Sequence, residues 1–215
     1  MDLSFDRFIP TAGTRRALAL ARAMATRSLG APRLLVLCGP AGVGKTHLLR
    51  ALLRHRTWDD PDARVAHATA DEIVQHLIEA AQHGAGGSRS LGWDGADVVA
   101  VDDLHTLAGC PMAQKEVARL LRLALAEGAR VVCAVGDPVA RLGPLLASLR
   151  TAPGFASATL GPAADREVRH ILACIAHRED ARVGRRVLAF LAASAGGDVR
   201  RAAGALTSYS FRVSS

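Results

Sequence analysis

Lysine is almost missing from this chain. Two of its 215 residues are Lys, Lys45 and Lys115, and the other twenty-five basic residues are Arg. Aromatic residues make up 4%, a composition that favours helices packed on aliphatic strands over a β-sandwich. No stretch approaches the ~20 apolar residues that a membrane helix requires. The opening Met1-Asp2-Leu3-Ser4-Phe5-Asp6 lacks the basic start and apolar run of a secretory signal. No run of five basic residues forms an arm or tail. The four cysteines, Cys38, Cys110, Cys133 and Cys174, include no C-x-x-C pair. They read as reduced core residues of a cytoplasmic protein, not as disulfides or zinc ligands.

Half of the residues are apolar, enough for a sizeable core in one large domain, or in one domain with a small appendage. The net charge is +7 and the pI is near 10.2. Two readings of that surplus stay open: an acidic partner such as DNA bound through a basic surface, or a compositional drift to Arg.

Periodicity places helices over 14–28, 46–56, 71–83 and 113–126, with Asp71 as the expected cap of the third. Short apolar strands are expected at 33–38, 64–69, 98–101 and 130–135, with a fifth at 157–160. The stretch 84–95 is the most loop-like. From about Gly161 only helices follow, over 164–177, 182–195 and 198–208. Strand–helix alternation followed by helices alone predicts an α/β fold: a parallel five-stranded sheet flanked by helices over 1–162, and a small all-helical lid over 163–215.

Gly39-Pro40-Ala41-Gly42-Val43-Gly44-Lys45-Thr46 fits the phosphate-binding P-loop pattern, lying between the first strand and the second helix as that motif requires. In a chain this rich in Arg, a Lys at position 45 is informative. A compact ammonium on a flexible stem reaches β/γ-phosphate oxygens that a planar guanidinium would not reach in the same loop. Val98-Val99-Ala100-Val101-Asp102-Asp103 is an apolar strand ending in two acids. Mg²⁺ beside the phosphates needs Thr46 and a carboxylate such as Asp102, while Asp103 is placed to orient or deprotonate water. Asp137, after the fourth strand, is placed to sense the γ-phosphate, although Gly-Asp-Pro also makes an ordinary turn. Arg200 lies in the first turn of the last helix, where the helix dipole disfavours a cation; it either faces a phosphate or is a solvated arginine of an Arg-rich chain. His47 reads as helix packing, not as a metal ligand.

Together these motifs resemble the AAA+ ATPase superfamily, and within it the branch of the bacterial replication initiator DnaA and its regulatory relative Hda. The opening Ser4-Phe5-Asp6-Arg7-Phe8 is similar to the family segment that helps enclose adenine. Gly44-Lys45-Thr46-His47-Leu48-Leu49 matches its P-loop, and Val101-Asp102-Asp103-Leu104-His105 matches its Walker B signature. Val135-Gly136-Asp137 falls at sensor 1, and Asp198-Val199-Arg200 with Gly204-Ala205-Leu206 resembles the sensor 2 motif. The resemblance implies ATP or ADP and Mg²⁺ as cofactors. It implies contacts from Phe8, Ile9, Gly39, Ala41, Gly42, Val43, Gly44, Lys45, Thr46, His47, Asp137 and Arg200, with Asp102, Asp103 and Lys45 in catalysis and Thr46 and Asp102 on the metal.

The departures bear on function. The family's arginine finger falls on Ala152 or is shifted to Arg150. Its basic single-strand contacts fall on Cys110 and Met112, with Lys115 near. No helix-turn-helix segment is expected after the last helix, so a stand-alone relative and a piece of a longer protein both fit. The expected function is a nucleotide-dependent switch in replication initiation or its regulation, partnered by another AAA+ subunit, either self or the initiator. The alternatives are a helicase-loader type ATPase and an adaptor that holds nucleotide without turnover.

Overall fold

A computed structural model describes residues 3–83, 91–137 and 139–214. Five parallel strands form one sheet in the order β2-β3-β4-β1-β5: β1 Leu34–Cys38, β2 Val65–Thr69, β3 Val98–Asp102, β4 Arg130–Val135 and β5 Phe155–Thr159. The three central strands are buried almost throughout, as continuous aliphatic runs in a sheet covered on both faces should be. Alternate residues feed two cores. Leu34 and Val36 of β1 pack with β3 and β4 residues toward α3 Ala70–His83, α4 Pro111–Ala126 and α5 Gly143–Arg150. Leu35 and Leu37 pack toward α1 Arg15–Ala25 and α2 Lys45–Asp59.

Three further helices, α6 Asp165–Arg178, α7 Arg185–Ala195 and α8 Val199–Ser214, share their own apolar cluster around Val168, Leu172, Ala192 and Leu206. They meet the core at several points, and Arg178 of α6 donates to the Asp6 and Arg7 carbonyls. Glu167 accepts from the Ala12 amide at 2.8 Å and the Ala164 amide at 2.9 Å. Ala163 donates its amide to Gly197 O.

Several local expectations change. The cap of α3 is Thr69, not Asp71: Thr69 Oγ1 accepts from the Glu72 amide while Glu72 Oε2 accepts from the Thr69 amide. That reciprocal pair is a capping box, and it outcompetes a lone Asp one turn position later. Helix α5 was not expected; proline at its first helical positions starts it. Helix α8 runs past 208 to Ser214. Of the four cysteines only Cys133 is fully buried, and Cys110 is exposed; all four are free. Residues 84–90 of the expected loop lie outside the described residues. Among the described residues, no helix is long and apolar enough to cross a membrane.

Candidate functional site

The strand order decides which residues meet. Strand β4 lies between β1 and β3, so the P-loop after β1, Asp137 after β4 and Asp102 at the end of β3 rise from three adjacent strand ends. Gly39 donates its amide to Val135 O at 3.1 Å, tying the start of the loop to β4.

Within the loop, Gly39, Gly42 and Gly44 all have positive φ. A Cβ on Gly39 would lie 2.3 Å from Leu160 O, and one on Gly44 would lie 2.8 Å from Phe8 Cε2. Gly44 takes the left-handed conformation and opens α2. The loop therefore presents backbone N–H groups at a helix start, a ready anion site. Lys45 is 8% exposed, and its Nζ donates to Gly39 O at 2.8 Å and Pro40 O at 2.7 Å. Burial lowers its pKa; Asp102, Asp103 and Asp137 oppose that shift, while Arg200 adds to it. One ammonium thus lies within electrostatic range of four of the predicted charged residues, one of them carried by the three-helix unit.

Asp102 is 4% exposed, and its Oδ1 accepts from the Asp103 amide at 3.0 Å. Asp103 sits at φ 57°, an unusual conformation for a residue with a side chain, at the start of a 3₁₀ turn, Leu104–Leu107. Such strain clusters where a side chain must be aimed; here it leaves the Asp103 carboxylate half exposed. Thr46, half buried in the first turn of α2, and Asp102 and Asp103 form an all-oxygen donor set. Among the described residues no three metal-ligating side chains converge. An all-oxygen set of this kind suits Mg²⁺, which takes one or two protein oxygens and completes its shell with water and phosphate.

The remaining expected residues are placed as follows. Ala41 is exposed, Val43 is buried and Ile9 is half buried. Phe8 is 9% exposed and packs edge-on against His47, with ring centroids 5.2 Å apart. His47 Nε2 meets Ser4 O at 2.9 Å, so its ring fastens the N-terminal segment to α2. Asp137 and Arg200 are exposed. Ala152 is 6% exposed, whereas Arg150 is exposed and lines a 510 Å³ cleft with Gly39, Pro40 and Asp137. Cys110 and Met112 are exposed, as is Lys115.

Two residues escaped the sequence reading. His105 lies beneath Gly136, where a Cβ would touch its ring at 2.9 Å, and its Nδ1 is 3.7 Å from Asp103 Oδ1. Its only sequence signal was its place after the acid pair. Gln114 is 1% exposed and donates to Leu107 O and Arg141 O, joining the turns that follow Asp103 and Asp137. An amide within an amphipathic helix gives no warning of that role.

The family model of the bacterial DnaA ATPase domain matches residues 1–152. The chromosomal replication initiator protein DnaA of Trichormus variabilis is 30% identical over 206 residues, covering 94% of this chain and 44% of that protein. The DnaA of Caulobacter vibrioides is 30% identical over 148 residues, covering 69% of this chain and 30% of the relative. The chain thus spans less than half the length of these curated relatives. Among solved structures, domain III of Thermotoga maritima DnaA superposes with a TM-score of 0.82 at 22% identity, covering 96% of this chain and 86% of that one. A replication initiator DnaA bound to AMPPCP and single-stranded DNA gives 0.77 at 20% identity, covering 95% and 63%.

Proposed function

This chain belongs to the bacterial DnaA ATPase-domain family, and we propose that it is an ATP-binding switch in bacterial replication initiation or its control. The observation that carries this reading is the meeting of three adjacent strand ends, which brings the P-loop with Lys45, the pair Asp102–Asp103 and Asp137 together. Asp102 and Asp103 stand together at the end of β3, Asp137 follows β4, and Arg200 comes from the helical unit. A nucleotide on the P-loop is the ligand that gives all five a common purpose.

In this reading the amides of 42–46 hold the phosphates, and Lys45 leaves the carbonyls of Gly39 and Pro40 to meet the β/γ oxygens. Phe8, Ile9 and the backbone around His47 border the adenine side. Thr46 and Asp102 hold Mg²⁺, which neutralises phosphate charge when bound. Asp103, aimed by its strained backbone, positions water. Asp137 and Arg200 read the terminal phosphate. Residues 163–215 act as a lid, so the phosphate state sets the surface offered to a second AAA+ subunit, either self or the full initiator. The solved initiator bound to AMPPCP and single-stranded DNA supports nucleotide and DNA as ligand classes. With exposed Cys110 and Met112 near Lys115, DNA contact here depends on the general basic surface, not on a basic pair at that point.

The test is binding and phosphate release with MgATP, for the wild type and Lys45→Ala, with and without single- and double-stranded DNA. Turnover lost in Lys45→Ala and altered by DNA is expected. Tight binding with no turnover under any condition favours the adaptor reading over the hydrolytic switch.

A further inference from the structure

The lid is fastened to the P-loop by an acid. Asp198 precedes α8 and caps it: its carbonyl accepts from the Ala202 amide, and its Oδ1 accepts from the Arg201 amide at 2.9 Å. The same carboxylate lies directly against Gly42, and a Cβ on Gly42 would overlap it outright. The approach is held from behind. Gly196 and Gly197 adopt positive φ between α7 and α8. A Cβ on Gly197 would meet Ala163 O and Pro162 Cβ, each at 2.9 Å. The 161–163 linker continues from Leu160, whose carbonyl packs on Gly39. The loop, the linker and the start of α8 therefore form a closed ring of contacts, with Asp198 and Gly42 as its last joint.

The chemistry of that joint is unexpected. A loop whose amides form an anion site has a carboxylate resting on it. The first turn of α8 carries Arg200 and Arg201, which the helix dipole disfavours. Asp198, at the same helix start, offsets both.

We propose that Asp198 is a lid latch that rests on Gly42 of the P-loop and opposes phosphate binding until it is displaced. The proposal rests on the nucleotide reading of the P-loop and adds its regulation. Two like charges at one loop repel, so an arriving triphosphate drives the carboxylate off Gly42 and carries the start of α8 with it. Arg200, two residues along, then turns toward the phosphates. Phosphate arrival and lid movement become one event, at the cost of weaker affinity.

Asp198→Asn tests this, because Asn retains the shape and capping acceptor while removing the charge. Asp198→Ser is a second cap-retaining variant should the first fold poorly. Two quantities are read: MgATP affinity by calorimetry at low and high salt, and amide exchange of residues 41–46 without nucleotide. The variant is expected to bind MgATP about 10-fold tighter at low ionic strength, with the gap closing as salt screens the repulsion. Its loop amides should exchange faster than those of the wild type. Unchanged or weaker affinity, or unchanged exchange, overturns the latch. If neither protein binds nucleotide, the nucleotide reading fails, and exchange alone decides the latch.

Discussion

The Lys45 ammonium donates to the carbonyl oxygen of Gly39 at 2.8 Å, so the loop's own backbone satisfies its cation. Burial lowers the Lys45 pKa below its ordinary 10.5. A base with a lowered folded pKa sheds its proton in the folded protein before the unfolded chain does. Its charge therefore costs stability at neutral pH, and that cost is relieved as pH rises through the folded pKa toward 10.5. Lys45→Met should accordingly melt no lower than the wild type at pH 7. It should still lose MgATP affinity by about 100-fold, the worth of ~2.7 kcal/mol. Thermal melts beside calorimetry check both halves.

Gly44→Ala should damage fold and site together. The left-handed backbone at φ 102° and the contact with Phe8 both resist a methyl group. A loss of about 1–3 kcal/mol is expected, read by denaturant melts, with the N-terminal segment becoming more open to protease.

The two acids should separate. Asp102→Ala removes the buried carboxylate and should abolish the Mg²⁺-dependent gain in ATP affinity while leaving metal-free binding in place. Asp103→Asn should keep binding and lose phosphate release. Titrations with Mg²⁺ and with EDTA, beside a single-turnover assay, distinguish them.

Glu167 of the C-terminal helical unit accepts from the amides of Ala12 and Ala164, and those backbone hydrogen bonds hold its pKa below the usual 4.5. A depressed carboxylate pKa gives stabilisation that is full above the unfolded value and lost as pH falls through the folded one. Amide exchange at residues 12 and 164 should rise on acidification below about pH 4.5 in the wild type, and should be high at every pH in Glu167→Gln.

Arg150 is the one candidate finger with an exposed side chain, since Ala152 is buried. If it serves a neighbouring subunit, Arg150→Ala and Lys45→Ala proteins, each inactive alone, should recover part of the phosphate release when mixed. If it serves its own P-loop through the shared cleft, mixing should restore nothing.

Much of this molecule was legible because backbone demands restrict residue choice. The glycines of the P-loop stand where φ is positive or where a Cβ would collide, and the aliphatic run into Asp102 is what a central strand must be. The sheet and the helical C-terminal unit follow from the same patterning. What stayed hidden depends on contacts between distant residues. The meeting of Asp198 with Gly42 joins residues far apart in the chain. The two bonds of Gln114 look, in sequence, like any helix amide. The eight residues of α5 are too few for periodicity to mark, and Thr69 outranks Asp71 only once Glu72 is seen to answer it.

The most direct measurement is a calorimetric titration of the purified chain with MgATP beside Lys45→Ala. The switch account predicts one nucleotide bound per chain by the wild type, and about 100-fold weaker binding in the variant. Equal affinity in the two proteins, or no binding by the wild type, would contradict it.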